Sequence, residues 1–160
     1  MIVVSDTSPL CYLLLINLAE LLPQLYGRVI IPESVCTELL NSDAPEIVKS
    51  WMAHPPDWLE IQAVTEEIDT TLNDLDLGER EAIALAEQLN ADLLLLDDRA
   101  ARQLAIERKL AIIGVLGILG TAAKRGLINF PEAIAQLQQT TFRASPKLIE
   151  ALLKEFPDGG

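Results

Sequence analysis

Four consecutive leucines, Leu93 to Leu96, run directly into Asp97, Asp98 and Arg99. A short apolar run bounded by polar residues is the pattern of a strand buried on both faces, and such strands occupy the middle of parallel sheets. The stretch also puts two carboxylates where a strand ends. In open α/β sheets, ligands bind in the crevice outside the carboxyl ends of the strands, so this acidic pair is a candidate site on position alone.

The rest of the chain alternates around that stretch. Residues 1–5 are a short apolar strand leading into Asp6-Thr7-Ser8-Pro9, where Ser8 is expected to cap a helix over residues 9–22 with Pro9 at its first position. A second strand at 28–31 is closed by Pro32 before a helix over 33–40. A polar break at 41–45 precedes a helix over 46–52 that Pro55-Pro56 stops. Residues 58–64 alternate, with Leu59, Ile61 and Ala63 on one face, which suggests a half-exposed edge strand. A polar helix over 65–73 and a turn at 74–78 lead to an amphipathic helix over 79–89, with Ala82, Ile83, Leu85, Ala86 and Leu89 on its buried face. Asp98 is placed to cap a helix over 99–109, and 111–114 is the fifth strand. Helices over 116–125 (stopped by Gly126), 131–139 and 146–156 (capped by Ser145) complete the chain.

Five such alternations imply a three-layer α/β/α fold around a five-stranded parallel sheet. Strand order matters for function. The order 3-2-1-4-5 sets Asp6 and Asp97 at neighbouring strand ends, whereas 2-1-3-4-5 separates them. The first is expected, because it explains why two non-adjacent segments both end in Asp. At 160 residues, half of them hydrophobic, the chain is expected to form a single domain over 1–160, with a core over about 1–126 and extra C-terminal helices over about 127–160. Cys11 and Cys36 form no C-x-x-C pair and are expected as buried thiols in a reducing cytoplasm. The start of the chain shows no secretory pattern, and no apolar stretch approaches the roughly 20 residues of a membrane span, so a cytoplasmic location without membrane contact is expected. The formal charge of −12 argues against a general nucleic-acid coat, which needs Lys and Arg to neutralise phosphates. An enzyme that meets phosphates through bound cations remains compatible with it.

Two more acids come near the crevice. Glu79 lies roughly 55° from the centre of its helix's apolar face and Glu81 roughly 105°, so Glu79 is the inward candidate. For Glu38 the helical wheel does not decide, since it lies beyond the edge of the face formed by Val35 and Leu39. Carboxylates that converge raise one another's pKa unless a cation sits among them. Oxygen ligands without a histidine cluster favour Mg²⁺ or Mn²⁺ over zinc. Such ions activate water and stabilise charge on a phosphodiester. The lone His54, in a Pro-bounded loop, offers no nucleophilic triad.

In these pieces the chain resembles the PIN-domain ribonucleases, which include the toxin halves of many prokaryotic toxin-antitoxin pairs. The matching segments are Val4-Ser5-Asp6-Thr7-Ser8, Ile31-Pro32-Glu33-Ser34-Val35-Cys36-Thr37-Glu38-Leu39, Gly78-Glu79-Arg80-Glu81-Ala82-Ile83 and Leu95-Leu96-Asp97-Asp98. Gly-Glu before the long helix and Asp-Asp-Arg after strand 4 look closest to a poorly characterised prokaryotic branch. The resemblance implies that Asp6, Glu38, Glu79 and Asp97 are the four catalytic, metal-holding acids, with Thr7 or Ser8 as the hydroxyl beside the first. Many PIN toxins carry Asp at the third position, where this chain has Glu79 with Glu81 close by. The resemblance further implies Mg²⁺ or Mn²⁺ dependence, an RNA substrate, a homodimer and a small inhibitory antitoxin.

Plainer roles compete with these. Asp98 reads first as a helix cap and second as a further metal ligand. Glu79 could serve only its helix dipole, and Glu81 and Asp76 read as solvated charges. Arg99 and Arg102, at i and i+3 beside the crevice, are candidate substrate contacts or ordinary surface cations. The leading alternative function is a non-catalytic PIN-like module that binds RNA or protein. A phosphotransfer receiver lacks its lysine, since Gly114-Val115-Leu116-Gly117 supplies none. A haloacid-dehalogenase-like phosphatase would want a second Asp where Ser8 stands.

Overall fold

The computed structural model describes residues 1–157. Strands β1 (Val3–Ser5), β2 (Val29–Pro32), β3 (Leu59–Gln62), β4 (Leu93–Leu95) and β5 (Ile112–Ile113) pair in parallel in the order β3-β2-β1-β4-β5. This is the expected order, and it makes β1 and β4 neighbours, with Val4 opposite Leu94 and Ser5 opposite Leu95. The Asp6 N–H extends that ladder to the Leu95 carbonyl at 3.0 Å.

Around the sheet lie α1 (Thr7–Leu15), α2 (Leu21–Tyr26), α3 (Glu33–Leu39), α4 (Glu46–Ala53), α5 (Leu77–Gln88), α6 (Arg99–Glu107), α7 (Val115–Lys124), α8 (Phe130–Gln138) and α9 (Pro146–Glu155). Successive strand residues point to opposite faces, and the core divides accordingly. Val3 and Leu95 join the larger cluster with Leu10, Leu119 and Phe130, whereas Val4, Leu94 and Leu96 join the smaller one with Ile83 of α5 and Ala101 of α6. Each face of the central strands is therefore covered, which is why the leucine run needs no polar residue.

Several local expectations are corrected. The helix expected over 9–22 is two helices. Asn17 adopts the left-handed conformation, φ 60°, while the Leu18 N–H reaches the Leu13 carbonyl at 2.8 Å and the Asn17 N–H reaches Leu14 at 3.1 Å. That is a Schellman ending, and Asn is one of the few side chains that tolerates it. Helix α1 also starts at Thr7, so Asp6 and not Ser8 holds the N-cap position and Pro9 falls third. First-turn N–H groups have no intrahelical partner, so Pro9 costs little there. The polar helix expected over 65–73 is only a 3-10 turn at Thr70–Leu72. Asp69 accepts from the Thr71 N–H at 2.9 Å, and the Arg108 guanidinium ties Asp69 and Thr71 to Glu87. Side chains that bond the local backbone compete with helix, and here they win.

Strand β3 is the edge strand, but its alternation breaks. Leu59 joins the core cluster with Val48 and Met52 of α4, while Ile61 stays 42% exposed near the open end of the sheet. Both cysteines are half-buried rather than fully buried. Ser145 caps α9 through the Leu148 N–H at 3.1 Å, and Gly126 ends α7 with φ 70°. Among the described residues no helix is long and apolar enough to cross a membrane.

Candidate active site

Three helices that begin near the carboxyl end of the sheet each have an aspartate at the N-cap position. Asp98 accepts from the Ala101 N–H at 2.9 Å, which makes it the cap of α6. Asp76 accepts from the Glu79 N–H at 2.9 Å while Glu79 Oε1 accepts from the Asp76 N–H at 3.2 Å, a reciprocal capping box that starts α5 two residues earlier than expected. Asp76 is thus a cap as well as an exposed charge. Asp6 holds the same position before α1 but makes no side-chain cap bond. It is 3% exposed, and its Oδ1 is buried without a hydrogen-bond partner among the described residues. A buried carboxylate oxygen left unpaired is costly, so its position calls for a ligand or a proton.

Glu38 and Glu79 surround it. The Thr7 hydroxyl donates to Glu38 Oε2, which orients that carboxylate. Beside it, a Cβ on Gly78 would lie 2.6 and 2.7 Å from the two Glu38 oxygens, so the glycine makes the space that Glu38 occupies. Glu79 is itself buried, at 9% exposure. Glu81 turns away from these acids: its Oε1 accepts from the Ser34 N–H at 3.2 Å and so serves the first turn of α3. Burial pushes the Asp6 carboxyl up to about 8; the Thr7 backbone N–H opposes this, and the negative charges of Glu79, Asp76 and Glu38 add to it. Glu79 rises to about 7 through burial first, then through Asp76 and Asp98.

Asp97 sits at the neighbouring strand end but is differently engaged. Asp6 follows Ser5, which is level with Leu95. Continuing the alternation past the strand ends directs Asp6 toward the α5 face and Asp97, one residue further on, toward α7. Both Asp97 oxygens lie within hydrogen-bond reach of the Val115 N–H, at 3.1 and 3.2 Å, at the start of α7. Burial raises its pKa, while the Val115 N–H and the Arg102 charge hold it down. Arg102 Nη1 donates to the Leu96 carbonyl at 3.0 Å, and Arg99 is exposed beside it. Thr7 and Ser8 also line a cleft of about 840 Å³ between α1 and α8. The structure therefore groups Asp6, Thr7, Glu38 and Glu79, with Asp97 adjacent and Asp98 committed to a cap. Among the described residues no three Asp, Glu, His or Cys side chains converge as metal ligands do.

The PIN-domain family model matches residues 2–158 of the chain. The chain belongs to the PIN-domain family. PIN domains are generally nucleases and usually use divalent metals. The PIN fold is also that of a PilT N-terminus domain protein from the hyperthermophilic archaeon Sulfolobus solfataricus P2, at 17% identity and a TM-score of 0.52, over 91% of this chain and 100% of that one. No curated protein sequence matches the chain.

The donor chemistry of this PIN site fits a hard divalent cation. All candidate ligands are carboxylate oxygens, one of them buried and unpaired at Asp6, and Glu38 lies in a cradle that a Cβ at position 78 would fill. Each of the other acids rests on a local donor instead: Glu38 on Thr7, Glu79 on the Asp76 N–H and Asp97 on the Val115 N–H. Sequence reasoning missed Gly78 and Gly114, whose absent Cβ atoms make room for Glu38 and Asp97. It also missed the cap role of Asp76, although Asp-x-x-Glu before an apolar helix is a visible signal for it.

Proposed function

We propose that this PIN domain is a metal-dependent ribonuclease that hydrolyses RNA phosphodiester bonds. The observation that carries the proposal is Asp6: a buried helix-start aspartate that does not cap its helix, left unpaired beside Glu38 and Glu79. Asp6, Glu38 and Glu79, with Asp97 at the adjoining strand end, would hold Mg²⁺ or Mn²⁺. When bound, the cation supplies charge neutralisation at the phosphodiester and a lowered pKa for water.

The protein's own groups do the rest. Thr7 orients Glu38, Gly78 leaves space for it, and the capping box fixes the backbone from which Glu79 projects. Burial keeps protons on Asp6 and Glu79 near neutral pH until a cation replaces them. A toxin role under a small antitoxin and a homodimer belong to the same reading and are supported by the family resemblance alone; a cytoplasmic location belongs to it through the free thiols and the lack of a secretory pattern.

A second reading, a PIN module that binds RNA or protein without turnover, is favoured by the local donors on which Glu38, Glu79 and Asp97 already rest. One experiment separates the two. Purified protein with Mn²⁺ should cleave single-stranded RNA, and Asp6→Asn should lower the rate on the order of 10²-fold or more. Equal cleavage by both proteins would place the activity elsewhere. Calorimetric Mn²⁺ uptake that ignores the four acids would favour the binding module.

A further inference from the structure

Beside Asp97 a groove of about 610 Å³ runs between the β5–α7 segment and residues 142–156. Four cations line it: Arg99 and Arg102 on α6, Lys124 at the end of α7, and Arg143 ahead of α9. Against them stand two carboxylates, Asp97 and Glu155. The chain has only 12 Lys and Arg against 24 Asp and Glu, so a third of its cations gather on one groove of an acidic molecule. Among the described residues none of the four is in a salt bridge. Arg102 bonds the Leu96 carbonyl and Arg143 the Thr140 and Phe142 carbonyls, which place the two guanidinium groups while leaving further N–H donors on each. The charged lining sums to four positive against two negative groups, whereas the whole protein carries −12.

The groove is also apolar and aromatic. Phe142 stands edge-on to Tyr12 and Phe156 tilts against Phe130 at 5.0 Å, both half-buried. The second ring packs over Gly120, where a Cβ would lie in ordinary van der Waals contact with it. Cations beside partly exposed aromatic rings are a combination that holds single strands, with phosphates on the cations and unpaired bases against the rings. A duplex keeps its bases stacked inside and would leave the rings unused. An acidic peptide would answer the cations but offers no regular series of flat rings.

We propose that this groove is a single-stranded RNA track, leading the strand between α7 and α9 past Asp97 to the acids at the ends of β1 and β4. The identity of the polyanion as RNA rests on the nuclease reading; the groove's charge and aromatic lining do not.

The test is anisotropy of a fluorescein-labelled oligouridylate of about 10 nucleotides, titrated with the full chain carrying Asp6→Asn in EDTA so that the RNA stays intact. Lys124 and Arg143 are exposed, so reversing both to Glu should leave the chain folded, with the thermal midpoint lowered by a few degrees at most through the lost Arg143 bonds and the charge at the end of α7. The double reversal should weaken binding about tenfold or more and flatten the salt dependence by about 0.7 in log–log slope for each lost phosphate contact. Phe142→Leu should weaken binding about fivefold with the slope unchanged. Arg28→Glu, at the amino end of β2 and so at the far edge of the sheet, should change affinity less than about twofold. Unaltered binding in the double reversal would overturn the track. So would a duplex of the same length that binds equally well, or polyglutamate that displaces the RNA, the latter pointing to an acidic protein partner. If the reversal abolishes binding while the wild-type chain with Mn²⁺ cleaves nothing, the track stands and the nuclease reading fails. If wild-type cleavage is present and binding ignores the reversal, the track fails and the nuclease reading stands.

Discussion

A carboxyl group pushed from 3.8 up to about 8 keeps its proton in the folded chain over a range in which the unfolded chain has already lost it. Folding then binds a proton, so the stability that Asp6 contributes is complete below about pH 4 and is lost as pH rises toward 8. Glu79 acts with the same sign up to about 7. In EDTA the thermal midpoint of the wild-type chain should therefore fall between about pH 5 and about pH 8, and Asp6→Asn should remove most of that slope. At the upper pH, Mn²⁺ should raise the midpoint of the wild-type chain more than that of the variant, which scanning calorimetry would show; equal shifts would detach the metal from Asp6. Gly78 offers a second test at single-residue scale. Gly78→Ala gains up to about 1 kcal/mol of helix propensity but pushes the Glu38 carboxylate aside. Unfolding should show stability within about 1 kcal/mol of the wild type, whereas RNA cleavage should slow about tenfold, because misplacing a reacting group is costly. Normal cleavage would show that the position of Glu38 does not matter.

At the scale of elements, the helix starts separate the aspartates that cap from the one that does not. Asp98 caps α6 and Asp76 caps α5, each through its own helix's N–H. Asp98→Ala should cost about 1 kcal/mol in denaturant unfolding and leave cleavage nearly unchanged. Asp76→Ala should cost about the same but also lower cleavage, because it removes the carboxylate that holds the Glu79 N–H and so loosens the turn from which Glu79 projects. Equal activity in both variants would mean that the box does not position Glu79. The elements themselves were largely legible in the sequence. The leucine run, the Pro and Gly punctuation and the amphipathic α5 stand where periodicity places them. The misses follow from side-chain to backbone bonds that periodicity does not register. Asn17 ends α1 in the left-handed conformation, and the Asp69, Thr71 and Arg108 bonds turn an expected polar helix into a 3-10 turn.

At the scale of the molecule, the helices after Gly126 share the main core. Phe130 is fully buried there, with Ile134 and Leu137 beside it. Phe130→Ala should cost about 3–5 kcal/mol in denaturant unfolding, a large part of the total stability of about 5–15 kcal/mol; a loss under about 1 kcal/mol would mean that α8 is dispensable. The sequence by itself determined the alternating α/β architecture and the aspartates at the ends of two strands, because hydrophobic periodicity and strand punctuation are local and survive in one dimension. The strand order was expected only from the pairing of those aspartates, and the sheet bears it out. Only the tertiary structure decided which acids share a site. It turned Glu81 onto Ser34, kept Glu79 beside Asp6 and Glu38, and rested Asp97 on the Val115 N–H. The direction of a carboxylate depends on which distant N–H group or empty glycine position the packing brings within reach, and no spacing along the chain encodes that.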